Sequence, residues 1–150
     1  MQTMNGDQCV ALVRRLKEQL LLQRVALCEY LDLLECEESV IREGDEEGLQ
    51  SHVESEAGLV RQLEQFQKVI DPLLALYRFS FPNGEAEIPP LRDSIERIQH
   101  DVLLRNQRNR VLLRSRVEDL RRRIDEFKAR SGVRLSPFLS APSAFVDVTV

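Results

Sequence analysis

The sequence predicts an all-α fold: an elongated antiparallel helical hairpin or coiled coil of about three long helices, followed by an irregular C-terminal tail. Three observations carry this expectation. Leu, Arg and Glu are the commonest residues of a composition that is 43% hydrophobic, 5% aromatic and 31% charged, with no tryptophan, which is the profile of long helices rather than of a sheet. Apolar residues recur at alternating steps of three and four, the period of a helical seam. The glycines and prolines, six of each, gather where helices would stop.

The first helix is expected from Asp7 to Glu43. Its stripe is Cys9, Val13, Leu16, Leu20, Leu27, Leu31, Leu34 and Ile41, interrupted by the charged Arg24 and Glu38. So narrow and sustained a stripe is the seam of a coiled coil, over a helix about 55 Å long at 1.5 Å per residue. At Gly44-Asp45 a stop is followed at once by a start. Gly44 can take the left-handed conformation that ends a helix, and Asp45 can accept from the first N–H groups of the next. Glu46 and Glu47 then lie in the first turn, where the helix dipole favours acids. The second helix is expected to about Phe79, facing inward with Leu49, Val53, Leu59, Val60, Leu63, Phe66, Ile70, Leu73, Leu74 and Tyr77. Pro72 predicts a kink or boundary near Ile70. A turn this short makes an antiparallel hairpin the default.

Residues 80–90 form a loop by composition, and the third helix is expected from Leu91 to Arg130. Its stripe is Leu91, Ile95, Ile98, Val102, Asn106, Asn109, Leu113, Val117, Leu120, Ile124 and Phe127, with Gly132 ending it. Two asparagines inside a seam cost stability and set register or partner. The domain organisation expected is a helical domain over residues 1–130 and an extended, partly disordered tail over 131–150, where Pro, Ser and large apolar residues lack any period.

Several chemistries lack their residues. The chain has no phosphate-cradling glycine loop with its lysine, no GxSxG and no HExxH, so no catalytic residues and no cofactor are expected. His52 and His100 are isolated, with Leu49 and Arg97 three residues before them, so neither completes the Glu-x-x-His pair of a di-metal bundle. Cys9, Cys28 and Cys36 are odd in number and share no metal-binding spacing. They read as buried or half-buried thiols in a reducing cytoplasm. No apolar run reaches the ~18 residues of a membrane span, and no secretory signal is visible at the N-terminus.

The net charge of −4 hides an asymmetry: residues 1–90 carry 17 acidic and 8 basic side chains, residues 91–150 carry 8 and 13. Helices of opposite charge attract across their flanks, which accounts for the division. The run from Arg105 to Arg116, continued by Arg121 to Arg123, raises RNA binding as a sharper reading. Interleaved Glu118, Asp119, Asp125 and Glu126, and the lack of stacking aromatics, favour a solvated arginine face beside an apolar seam. No nucleic-acid partner is expected.

The stretch from Leu31 to Leu49, with its Leu-rich helix and Gly44-Asp45 turn, followed by Leu59, Leu63 and Phe66, resembles the FlgN family of flagellar export chaperones. Asn106-x-x-Asn109-x-x-Leu112-Leu113 is similar to that family's later Asn-x-x-Asn-x-x-Leu-Leu stretch, and the resemblance spans about residues 10–125. The chain departs from the family's pattern at Glu56, where a basic residue is frequent, and in a tail with Phe138 and Phe145. The resemblance implies a cytoplasmic chaperone of the flagellar type III export system. Its clients would be the C-terminal helical ends of the hook–filament junction proteins FlgK and FlgL, presented at the export gate. A segment disordered alone can fold as a helix into a groove with apolar anchors. Asn106, Asn109, Leu112, Leu113, Val117, Leu120 and Ile124 are the candidate partner-binding residues, and hairpin core is the competing account of the same positions. A structural coiled-coil scaffold that self-associates is the alternative function, so a homo-oligomer is also open.

Overall fold

The computed structural model describes residues 3–132, and they form three helices, all-α as expected, with no strand among the described residues. α1 spans Gly6–Glu43, α2 Glu46–Ser80 and α3 Ile88–Ser131. The tail expected over 131–150 lies outside the described residues from residue 133 onward. The chain divides into two compact units, residues 1–113 and 114–150, with α3 continuing through the division.

Each boundary has a chemical cause. α1 opens on a reciprocal cap that the sequence reading passed over: Asn5 Oδ1 accepts from Gln8 N–H at 2.9 Å, and Gln8 Oε1 accepts from Asn5 N–H at 3.1 Å, which satisfies two of the exposed donors at the helix start. Its other end is the expected Gly44 stop, at φ 72°, with the Gly44 N–H donating back to Val40 and Ile41 carbonyls. Asp45 then caps α2 by accepting from Gly48 N–H at 3.0 Å. A Cβ on Gly48 would lie 2.3 Å from the Asp45 carboxylate, so the glycine makes room for the cap.

Gly44→Val should cost on the order of 1 kcal/mol or more, because a β-branched side chain is strained at positive φ. Thermal melting reads this out; an unchanged midpoint would show that the turn is not held in the left-handed conformation.

One boundary differs from expectation, and at Pro72 one of two alternatives falls away. α2 continues through Pro72 as a single helix, so the proline marks no boundary. Pro72 and Lys68, whose carbonyl loses its donor, are both exposed, so water can replace the missing bond. α3 begins at Ile88 rather than Leu91, because Glu85 organises its start. The Glu85 carboxylate accepts from Glu87 N–H at 2.9 Å, from Ile88 N–H and from the Tyr77 hydroxyl at 3.3 Å. Pro89 and Pro90 fall in the first turn, where no N–H is needed.

Within the first unit α1 and α2 are antiparallel, as Gln23 meeting Gln67 and Tyr30 meeting Glu56 require. α3 runs in the same sense as α1: Lys17 pairs with Glu87 at 3.0 Å, and Leu34 meets Asn109 further along both helices. The larger core cluster joins Leu12, Leu16, Leu20 and Leu27 to Ile70, Leu74 and Tyr77 and to Ile88, Leu91 and Ile95. A smaller one joins Tyr30, Leu34 and Val102.

The buried residues of α1 are Leu12 and Ala26 together with Leu16, Leu20, Gln23, Leu27, Tyr30, Leu34, Glu37 and Ile41, and from Leu16 onward the latter alternate in steps of four and three. The polar interruptions are therefore Gln23 and Glu37, and the expected Arg24 is exposed. On α2, Val53 and Val60 are exposed rather than inward.

Candidate functional site

Of the candidate residues on α3, those up to Leu113 belong to the first unit. Asn109 is buried, 2% exposed. Its amide donates to the Leu34 carbonyl of α1 at 2.7 Å, so one of its donors is committed inside the chain. One turn earlier Arg105 reaches Glu38 at 3.2 Å. Glu38 also pairs with Arg42 at 2.9 Å, and the Arg42 hydrogen bond first, then the nearby Arg105 charge, help hold its carboxyl below the usual range. Asn106 and Leu112 are half-buried and Leu113 is 36% exposed.

Between α1 and α2 lies a polar patch inside the hairpin. The Tyr30 hydroxyl donates to Glu56 Oε1 at 2.5 Å; burial first, and then this bond to a carboxylate, push its pKa upward. Glu37 is buried, and its Oε2 lacks a hydrogen-bond partner among the described residues. Burial, reinforced by the Glu56 charge, pushes its carboxyl up to about 7.

The consequence for stability follows from proton linkage. Between its ordinary pKa of 4.5 and about 7, the folded chain keeps on Glu37 a proton that the unfolded chain has released. Stability therefore falls as pH rises through that window and levels off above it. Glu37→Gln should raise stability at pH ~8 by on the order of 1 kcal/mol, allowing for partial solvent screening, and by less at pH ~5. Denaturant melts at both values check this; an equal effect at both would show that Glu37 does not titrate in the window.

The remaining candidates lie in the second unit, whose described part is the α3 stretch from 114 to 132. Val117 is half-exposed, while Leu120, Ile124 and Phe127 are 57%, 47% and 65% exposed. Their spacing of three, four and three is a heptad seam whose last three members are exposed. It is not a continuation of the stripe that the hairpin covers. That stripe runs Ile88, Leu91, Ile95, Ile98, Val102, Arg105, Asn109 and Leu112 in unbroken threes and fours, and would continue at Arg116 and Asp119. In the sequence the apolar residues of the second unit fall one residue later than that alternation.

Sequence reasoning joined the two stripes through Asn106 and so missed the change of register. Of the residues that edge the second seam, Arg116, Arg121 and Arg123 belong to the expected arginine face beside an apolar seam, whereas Lys128 and Arg130 lie outside the run that suggests it. The signal was present in their spacing relative to Val117 and Ile124. Read as an arginine-rich run, it loses its phase.

Elsewhere the surface offers little chemistry. Cys9 is half-buried, but Cys28 and Cys36 are exposed, against the expectation of shielded thiols. They lie two helical turns apart on the outer side of α1. A shallow groove in the first unit is lined by Gln23, Leu27, Val60, Leu63, Glu64, Gln67 and Gln99, where Glu64 is the one ionisable side chain and has no nucleophile among these neighbours. Among the described residues no group of three His, Cys, Asp or Glu could hold a metal ion, and no helix is long and apolar enough to cross a membrane.

The chain is 37% identical over 126 residues to an uncharacterized protein of Treponema pallidum (strain Nichols), an alignment that covers 83% of this chain and 80% of that protein. No family model matches the sequence. No solved structure matches it.

Proposed function

The chain belongs to one family with the Treponema pallidum protein, and from that premise we propose that it is a non-enzymatic, cytoplasmic chaperone of flagellar type III export. In this reading it holds the C-terminal helical ends of the hook–filament junction proteins FlgK and FlgL and presents them at the export gate. The alignment covers most of both chains, and the function is read from the residues that this chain's helices display.

The observation that carries the reading is the heptad seam of Val117, Leu120, Ile124 and Phe127, of which the last three are exposed among the described residues. A helix disordered in isolation gains its fold by laying apolar anchors at such spacing onto a seam. The FlgN-like Asn-x-x-Asn-x-x-Leu-Leu stretch immediately before it supports the same assignment. Asn109 contributes there by fastening α3 to Leu34, which leaves binding itself to the residues beyond.

Calorimetry of the full chain against C-terminal segments of FlgK and FlgL tests the proposal. Saturable binding at about micromolar Kd or tighter is expected, with no heat from a shuffled segment. Absence of binding to both segments would sink it. A chain that ignores both and sediments as a concentration-dependent dimer would be a self-associating scaffold instead.

A further inference from the structure

The seam's two edges carry a pattern that the proposed function does not absorb. With Val117 and Ile124 at heptad positions a, and Leu120 and Phe127 at d, the e positions are Arg121 and Lys128. The g positions are Arg116, Arg123 and Arg130. Every flanking position is a cation. The acids of the same stretch, Glu118, Asp119, Asp125 and Glu126, occupy b and c, away from the helix that would pair with the seam. Arg122, at the outermost position f, is paired with Asp119. Among the described residues none of the five flanking cations is in an ion pair.

We propose that this seam selects its partner by charge: it takes one amphipathic helix whose a and d residues are aliphatic and whose e and g residues are Glu or Asp. The inference rests on the reading of α3 as a client-binding surface and adds the chemical class of the client. The β-branched Val117 and Ile124 at a, with Leu120 at the first d, favour two strands over three or four, and the occupant is accordingly a single helix. Facing residues at e and g meet across a two-stranded seam, so acids there find a cation at every contact.

The same rule excludes the rivals. A second copy would set cation against cation whether the two helices ran parallel or antiparallel. Residues 133–150 offer one acid, Asp147, and one base, Arg134, and cannot match five cations. A nucleic acid would answer the charge but leave Leu120, Ile124 and Phe127 facing polar groups. A membrane surface calls for a broader apolar face than one a/d stripe.

The test uses the full chain and designed 21-residue peptides with Ile at a and Leu at d, carrying Glu at every e and g or Lys at every e and g. The Glu peptide should bind at least about tenfold more tightly than the Lys peptide, and raising the salt from about 0.05 to about 0.5 M should narrow the gap. The triple variant Arg116→Glu, Arg121→Glu, Arg123→Glu should reverse the preference, with helicity checked by circular dichroism. The triple Arg→Lys variant at the same positions should keep it. Equal affinity for the two peptides, or tighter binding to a single-stranded RNA oligomer or to anionic phospholipid vesicles than to the Glu peptide, would overturn the inference. The two proposals fail separately. A chain that captures FlgK or FlgL but is indifferent to peptide charge keeps its function and loses this selectivity. A chain that prefers the Glu peptide and ignores both junction proteins keeps the selectivity and loses that function.

Discussion

Replacing Leu120 and Ile124 together by alanine is expected to weaken binding of a client helix at least about thirtyfold while leaving the melting temperature of the protein nearly unchanged. Both side chains are largely exposed in the free chain, so truncation removes almost no packing from the folded state. Alanine is also the residue best suited to a helix interior, which preserves α3. In a complex the same two positions would lie at the centre of the seam, where truncating one anchor costs about 2 kcal/mol or more, about thirtyfold in affinity. Calorimetry with the client segment, run beside thermal melts, decides the matter. Undiminished binding would place the client surface elsewhere on the helices. A large fall in melting temperature would show that these residues pack within the protein.

Leu16→Ala should do the reverse, and its effect on the fold should be the largest of any single truncation considered. Leu16 is fully buried, in the cluster where α1 meets Ile70 and Leu74 of α2 and Ile88 and Leu91 of α3. Removing a buried Leu side chain from such a site costs ~2–5 kcal/mol, the transfer term plus the cavity left behind. For a unit of this size that amounts to a fall in Tm of roughly 10 °C or more. A thermal scan checks it, and a shift below about 3 °C would mean that the three helices close over the gap. Together the two variants separate residues that hold the protein together from residues that it displays.

Much of the hairpin was legible because its signals are local. Gly44 and Asp45 are adjacent, each acts within a few residues, and both behave as their chemistry dictates. The α1 stripe was legible in period but not in phase. Gln23 and Arg24, or Glu37 and Glu38, are neighbours about 100° apart on a helix, and the apolar residues around them fit either line. The choice is made by α2 and α3, which cover Gln23 and Glu37 and leave Arg24 in solvent. Glu85 was read as part of a polar loop, because its role needs Tyr77 on one side and the start of α3 on the other.

The candidate residues on α3 divide for the same reason. Asn109 and Leu120 sit in what reads as one continuous seam, yet one is buried against a backbone carbonyl of α1 and the other is exposed. Periodicity tells which residues share a face and does not tell whether that face is covered.

By itself the sequence determined that this protein is helical, where its tight turn falls and that its apolar residues form seams. Those properties follow from hydrogen bonds and side-chain spacing within a few turns of one helix. Only the tertiary structure decided that the apolar residues of α3 up to Val102 are packed on α1 and α2, while Leu120, Ile124 and Phe127 are exposed among the described residues. Burial depends on which distant residues arrive at a face, and a stripe of leucines is the same stripe whether its partner is in the same chain or in another.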